Sequence, residues 1–131
     1  MNPPSGTSGC TNTNATGYTQ YLTGLPIPNL VQGSTYPISV AVGPGGTENV
    51  RVFTDWNQDG DFLDASEDQF IGSGNGSTVN GNVSVPLSAT PGQTRMRVRV
   101  MFSTSTYDAC GSFSSFGEAE DYLVNVQLFV V

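Results

Sequence analysis

The stretch Arg95–Phe102 reads RMRVRVMF, and it constrains this chain more than any other eight residues. Met96, Val98, Val100 and Phe102 alternate with Arg95, Arg97 and Arg99. A helix would scatter both sets around its circumference, whereas a strand sends successive side chains to opposite faces. The chain therefore contains a strand with one apolar and one cationic side. The cationic side is expected on a solvent face, in Arg–carboxylate pairs that contribute about 0–1 kcal/mol each.

The same period of two recurs along the sequence. Tyr36, Ile38, Val40 and Val42 form one apolar series, and Val50 and Val52 alternate with Arg51 and Phe53. Val83, Val85 and Leu87 make a shorter series near Pro86 and Pro91, and Tyr122, Val124, Val126, Leu128 and Val130 share one side of a last strand. No apolar stripe at helical spacing is present. Turn signals separate the runs: GPGG from Gly43, GSGNGS from Gly72, Asn80–Gly81 and TPGQ from Thr90. Short strands joined in this way predict an all-β fold, an antiparallel β-sandwich or jelly-roll-like arrangement, as a single domain over residues 1–131. Residues 1–20 are polar and read as an irregular N-terminal segment.

Charge narrows the function classes. The net charge is −7, Lys and His are absent, and Arg51, Arg95, Arg97 and Arg99 are the only cationic side chains. Phosphate backbones and anionic membrane surfaces select basic proteins, so neither is an expected partner. Nothing resembles a membrane span of about 20 apolar residues. The opening MNPPSGTSGC lacks the basic start and apolar centre of a signal peptide, which reads as a mature form or an excised domain. Abundant Gly, Ser, Thr and Asn with no Lys suits a secreted, extracellular module.

Five carboxylates, Asp55, Asp59, Asp61, Asp64 and Glu67, fall within thirteen residues straight after a predicted strand. Crowded like charges repel and need a counter-charge. The order Asp55-x-Asn57-x-Asp59-Gly60-Asp61 matches the start of a calcium loop, in which alternate residues aim oxygens inward and Gly permits the sharp turn. On that reading Asp55, Asn57 and Asp59 give side chains, Asp61 gives its carbonyl, and Asp64 or Glu67 closes the site. An EF-hand would need a Glu where Ser66 stands, and flanking helices, so a Ca2+ loop hung between strands fits better. The alternative is a solvated acidic turn.

A second acidic cluster, Glu118, Glu120 and Asp121, precedes the last strand and is a possible additional site. Alternation places Glu118 and Glu120 on one face with Tyr122, toward the core, where a carboxylate needs a partner: a metal or the arginine row. Cys10 and Cys110 are the only cysteines, and a secreted chain more often pairs two than leaves them free. Trp56 and Tyr107 are possible ligand aromatics for glycans; the competing reading packs Trp56 under its own loop. Without His or Lys the familiar triads and Schiff-base chemistry have no members, so no enzyme is expected.

VRVFTDWNQDGDFLDASED, then VSVPLSATPGQTRMRVRV, then ACGSFSSFGEAEDYLVNV together resemble the GEVED domain, a module of secreted bacterial proteins. The name-giving motif stands as GEAED, with Ala119 in place of Val. The resemblance implies a β-sandwich accessory domain of proteases, adhesins and other surface proteins, and no catalytic activity. The expected function is a non-catalytic, calcium-binding module for adhesion or surface assembly, the alternative a carbohydrate-binding accessory module of a secreted enzyme. Expected partners are calcium, other domains of a larger surface protein, other copies of itself, or glycans. Family members usually carry an extra early strand, whereas here nine residues precede Cys10 and the last strand runs on into LFVV. Residues 127–131 are therefore expected to form an apolar tail strand that fills a vacant sheet edge, in its own sheet or by strand addition to a neighbouring copy that builds a filament.

Overall fold

The computed structural model of the chain describes residues 18–102, 104–110 and 117–130. Eight strands appear among them, and no helix: β1 (Tyr18–Tyr21), β2 (Asn29–Val31), β3 (Thr35–Ala41), β4 (Glu48–Thr54), β5 (Asp68–Gly74), β6 (Thr78–Ser84), β7 (Gly92–Phe102) and β8 (Gly117–Gln127). They form an unequal β-sandwich. One sheet runs β1-β8-β7-β4-β5, with β2 also on β8, and the other is the β3-β6 pair.

The pairing departs from the all-antiparallel expectation at one edge. β7 pairs β8 and β4 antiparallel, as do β4 with β5 and β3 with β6, but β1 and β2 both lie parallel to β8. They sit end to end along it, Tyr18 opposite Ala119 and Val31 opposite Gln127. Between them residues 22–28 leave the sheet, where Pro26 and Pro28 have no N–H to offer a ladder. Two further expectations change with this edge. The irregular N-terminal segment gives up Tyr18–Gln20 to β1, and β1 and β2 occupy the edge of β8. The tail strand is also shorter than its alternation suggests: β8 stops at Gln127, and Leu128, Phe129 and Val130 continue as exposed, non-strand chain. Alternation reports which side a residue would take in a strand, not whether a ladder is there to hold it.

Both faces of the large sheet are covered. Val50, Val52, Met96, Val98, Val124 and Val126 meet Ile71, Val79 and Val83 in the main core, with Tyr36, Ile38 and Val40 packed against it. The opposite face carries a second cluster of Phe53, Phe62, Met101, Tyr107 and Ala109. This is why β4 is buried along almost its whole length. It also overturns the expected place of the arginine row. Arg97 and Arg99 are 0% exposed, and only Arg95 reaches solvent, at 23%. Segment 104–110 lies over them: Arg97 Nη1–H donates to Ala109 O (2.9 Å) and Arg99 Nη1–H to Asp108 O (2.8 Å). Burial pulls Arg99 down to about 10, against the pull of Asp108.

Candidate metal centre

The acidic loop, residues 55–67, joins β4 to β5 at one end of the large sheet. Two aromatic anchors hold it across both cores. Trp56 belongs to the main core and Phe62 to the second cluster. Trp56 Nε1–H donates to Ser66 O across the loop (3.1 Å), and the Arg97 guanidinium carbon lies over the Phe62 ring, 5.1 Å from its centroid. The backbone is fixed as well: Asp55 N–H donates to Arg95 O, Thr94 Oγ1–H to Asp55 O and Thr90 N–H to Trp56 O. Gly60 makes the turn with φ +92°, and Gln58 and Ser66 take left-handed φ of 55° and 66°, conformations that cost non-glycine residues free energy unless their surroundings enforce them.

This frame brings four of the predicted ligands together. One carboxylate oxygen from each of Asp59, Asp61, Asp64 and Glu67 falls within 4.8 Å of the others. Asn57 joins them through its carboxamide, whose nitrogen lies 3.1 Å from Asp59 Oδ2 and 2.6 Å from Asp64 Oδ2. Asp64 and Glu67, the two candidates for the closing position, are both present. The Asp61 carboxylate is one of the four, beside the carbonyl that the loop spacing assigns to it. Asp55 is outside this carboxylate group and accepts the N–H of Asp59 (3.2 Å) and of Gly60 (3.0 Å), which shapes the loop.

The group concentrates negative charge, partly away from water. Glu67 is 1% exposed and accepts only weak N–H bonds from Asn57 (3.4 Å) and Asp64 (3.2 Å). Burial, with the negative charges of Asp55 and Asp64, pushes its carboxyl up to about 7. Burial raises Asp55 too. Meanwhile the four arginines make ion pairs with Asp68, Asp108 and Asp121. A hard divalent cation would satisfy these oxygens, with Asp59, Asp61, Asp64 and Glu67 as the residues to hold it and Asn57 joining them once its carboxamide turns its oxygen inward.

The second acidic cluster does not form one site, because the pleat of β8 divides it. Glu118 and Glu120 share the inner face with Tyr122, as alternation requires. Asp121 lies on the opposite face, 0% exposed, and binds Arg97 at two points. Neither expected ligand aromatic offers a ring face: Trp56 is 3% and Tyr107 7% exposed. The Tyr107 hydroxyl lies 2.6 Å from Asn49 O and 2.8 Å from Arg99 O, deep in the second cluster. Cys10 lies outside the described residues, and no cysteine among the described ones is free.

The profile of the GEVED domain matches residues 49–125, more than half of the chain. The chain belongs to the GEVED domain family. The GEVED motif now reads position by position. Gly117 holds φ +155°, and a Cβ there would lie 2.5 Å from Val100 O, so the first residue of β8 must be glycine. Glu118 and Glu120 face the inner side, fully buried Ala119 sits opposite Arg99, and Asp121 receives Arg97. No curated protein sequence matches the chain. Among solved structures, the GEVED chain is similar to a polysaccharide monooxygenase, CBM33, at 13% identity and a TM-score of 0.42. That match covers 78% of this chain, which spans 60% of the monooxygenase.

Proposed function

We propose that this GEVED domain is a non-catalytic, calcium-binding module of an extracellular surface protein, serving adhesion or assembly. The observation that carries the calcium reading is the convergence of Asp59, Asp61, Asp64 and Glu67 around a buried, poorly satisfied Glu67. The ion would tie a loop anchored in both cores to the end of β4, and so stabilise the whole sheet. Calorimetric titration with Ca2+ tests it, with Mg2+ as the comparison. Ca2+ binding that is lost in Asp59→Ala and Asp61→Asn supports the reading, and equal affinity in those variants refutes it.

Several features support the extracellular context: no Lys or His, two cysteines, and family membership. We propose that Cys10 and Cys110 pair, which would close a loop of about 100 residues and stabilise by up to about 4–5 kcal/mol in the chain-entropy view. Mass spectrometry before and after reduction reads this directly. Assembly would draw on the exposed Leu128, Phe129 and Val130. The competing carbohydrate-binding reading loses its two chosen rings to burial. A glycan array with no binder leaves adhesion or assembly as the function.

A further inference from the structure

We propose that the cleft between the two sheets binds a lysine side chain presented by an extended segment of a partner protein. The cleft has a volume of about 450 Å³ and is remote in sequence from the acidic loop, with which it shares no residue. Met96, Val98 and Val124 of the large sheet face Ile38 and Val40 of β3 across it, and Ile27 of the excursion between β1 and β2 closes one side. Such walls suit an alkyl chain.

The polar groups are few and of one kind. Glu118 and Glu120 line the cleft beside Tyr122, whose hydroxyl donates to Glu120 Oε2 at 2.5 Å. The Tyr21 and Tyr122 rings stack at 5.2 Å with 14° between their planes. No cationic residue lines the cleft among the described residues. The arginines of the neighbouring strand point to the opposite face, where Asp121 and segment 104–110 engage them. A hydrogen bond with Glu120, then burial and the repulsion between the two carboxylates, lifts Glu118 to about 7. The pair is held close without a counter-charge.

A lysine side chain meets each of these features. Its four-carbon stem lies along apolar walls while its ammonium stays with polar groups. Three rotatable donors can reach two carboxylates, which the planar fork of arginine suits less well. Tyrosine ring faces add cation–π attraction. The backbone of β3 supplies the rest. Among the described residues β3 is paired on one side only, to β6, and Ser39, Val40 and Ala41 border the cleft. A partner strand added to the free edge would direct alternate side chains inward. The chain contains no lysine, so a second copy of itself cannot be the donor.

The test is an NMR titration of the isotopically labelled protein with an extended peptide of alternating valine and threonine around one central lysine. Run with and without Ca2+, it separates this site from the metal loop, whose failure to bind metal would leave the cleft result unchanged. Amide shifts confined to residues 38–41 and 118–124 are expected, with affinity reduced about tenfold or more when lysine is replaced by norleucine, which keeps the alkyl stem without the ammonium. Glu118→Gln/Glu120→Gln should lose a similar factor. Tyr21→Ala, on the exposed rim, should lose severalfold and guards against misfolding of the double variant. Equal binding of the norleucine peptide, shifts in residues 55–67, an oligosaccharide seated in the cleft, or 1,5-diaminopentane binding as tightly as the peptide would each overturn the proposal.

Discussion

Arg97 and Asp121, directly opposite each other on β7 and β8, form a two-point ion pair in which both side chains are completely buried. Nε–H reaches Oδ1 at 2.7 Å and Nη2–H reaches Oδ2 at 2.9 Å, while Arg95 approaches the same carboxylate at 3.3 Å. Removing one partner of such a pair strands a charge in the interior at a cost of about 3–5 kcal/mol. Asp121→Ala is therefore expected to lower the melting temperature by about 10 °C or more. Replacing both residues by apolar ones of similar volume should recover most of the loss. A small effect of Asp121→Ala would mean that the pair is solvated in solution.

Metal addition should stabilise the fold in proportion to occupancy. Binding to the native state alone adds about 2.7 kcal/mol at a ligand concentration 100-fold above Kd. Calorimetric scans with Ca2+ and with chelator should differ accordingly, and Asp59→Ala should remove the difference. Identical melting temperatures would count decisively against a structural ion.

The pH dependence follows from Glu67, whose carboxyl rises from 4.5 to about 7 on folding through burial and its acidic neighbours. In the metal-free protein the native state holds this proton more tightly than the unfolded chain. Its penalty is therefore absent below about pH 4.5 and grows as pH rises to about 7, so this group lowers stability across that window. Other carboxylates contribute their own slopes, so the comparison is with Glu67→Gln, which should flatten this component. A cation must displace the proton, so Ca2+ affinity should weaken as pH falls below about 7. A Ca2+ affinity that stays constant from about pH 5.5 to about pH 7.5 would contradict this assignment.

Trp56 is the chain's only tryptophan and is 3% exposed within the acidic loop. Its emission should be blue-shifted in the native protein and should move to the red if chelation loosens the loop. Trp56→Ala should cost about 3–5 kcal/mol as a core truncation. A red emission maximum in the folded protein would place the ring in water.

Residues 128–130 lie outside every strand, tied mainly by the Phe129 N–H donating to Gln32 Oε1 (3.0 Å). Deleting residues 128–131 should change stability by no more than about 0.5 kcal/mol. Light scattering on both proteins then decides assembly: a full-length chain that is already monomeric removes the tail from any self-association.

Much of this was legible along the chain. Period-two alternation marked β3, β4, β7 and β8, because side-chain direction in a strand is a local property. The spacing from Asp55 to Glu67 likewise marked an acidic loop able to hold a cation, since a tight turn collects the oxygens of near neighbours. Strands β1 and β2 were not legible: four and three residues long, they are strands only because β8 lies beside them. β5 hides for a similar reason, with glycines where an apolar series would be. Alternation also separated the arginines from the valines of β7 but could not say what covers each face. That depended on segment 104–110 folding back over Arg97 and Arg99, and on a register that sets Asp121 against Arg97. The pleat, register and long-range cover decided why Glu118 and Glu120 face a cleft while Asp121 is sealed inside. Those are relations between segments distant in sequence, and hydrophobic periodicity within one segment carries no information about them.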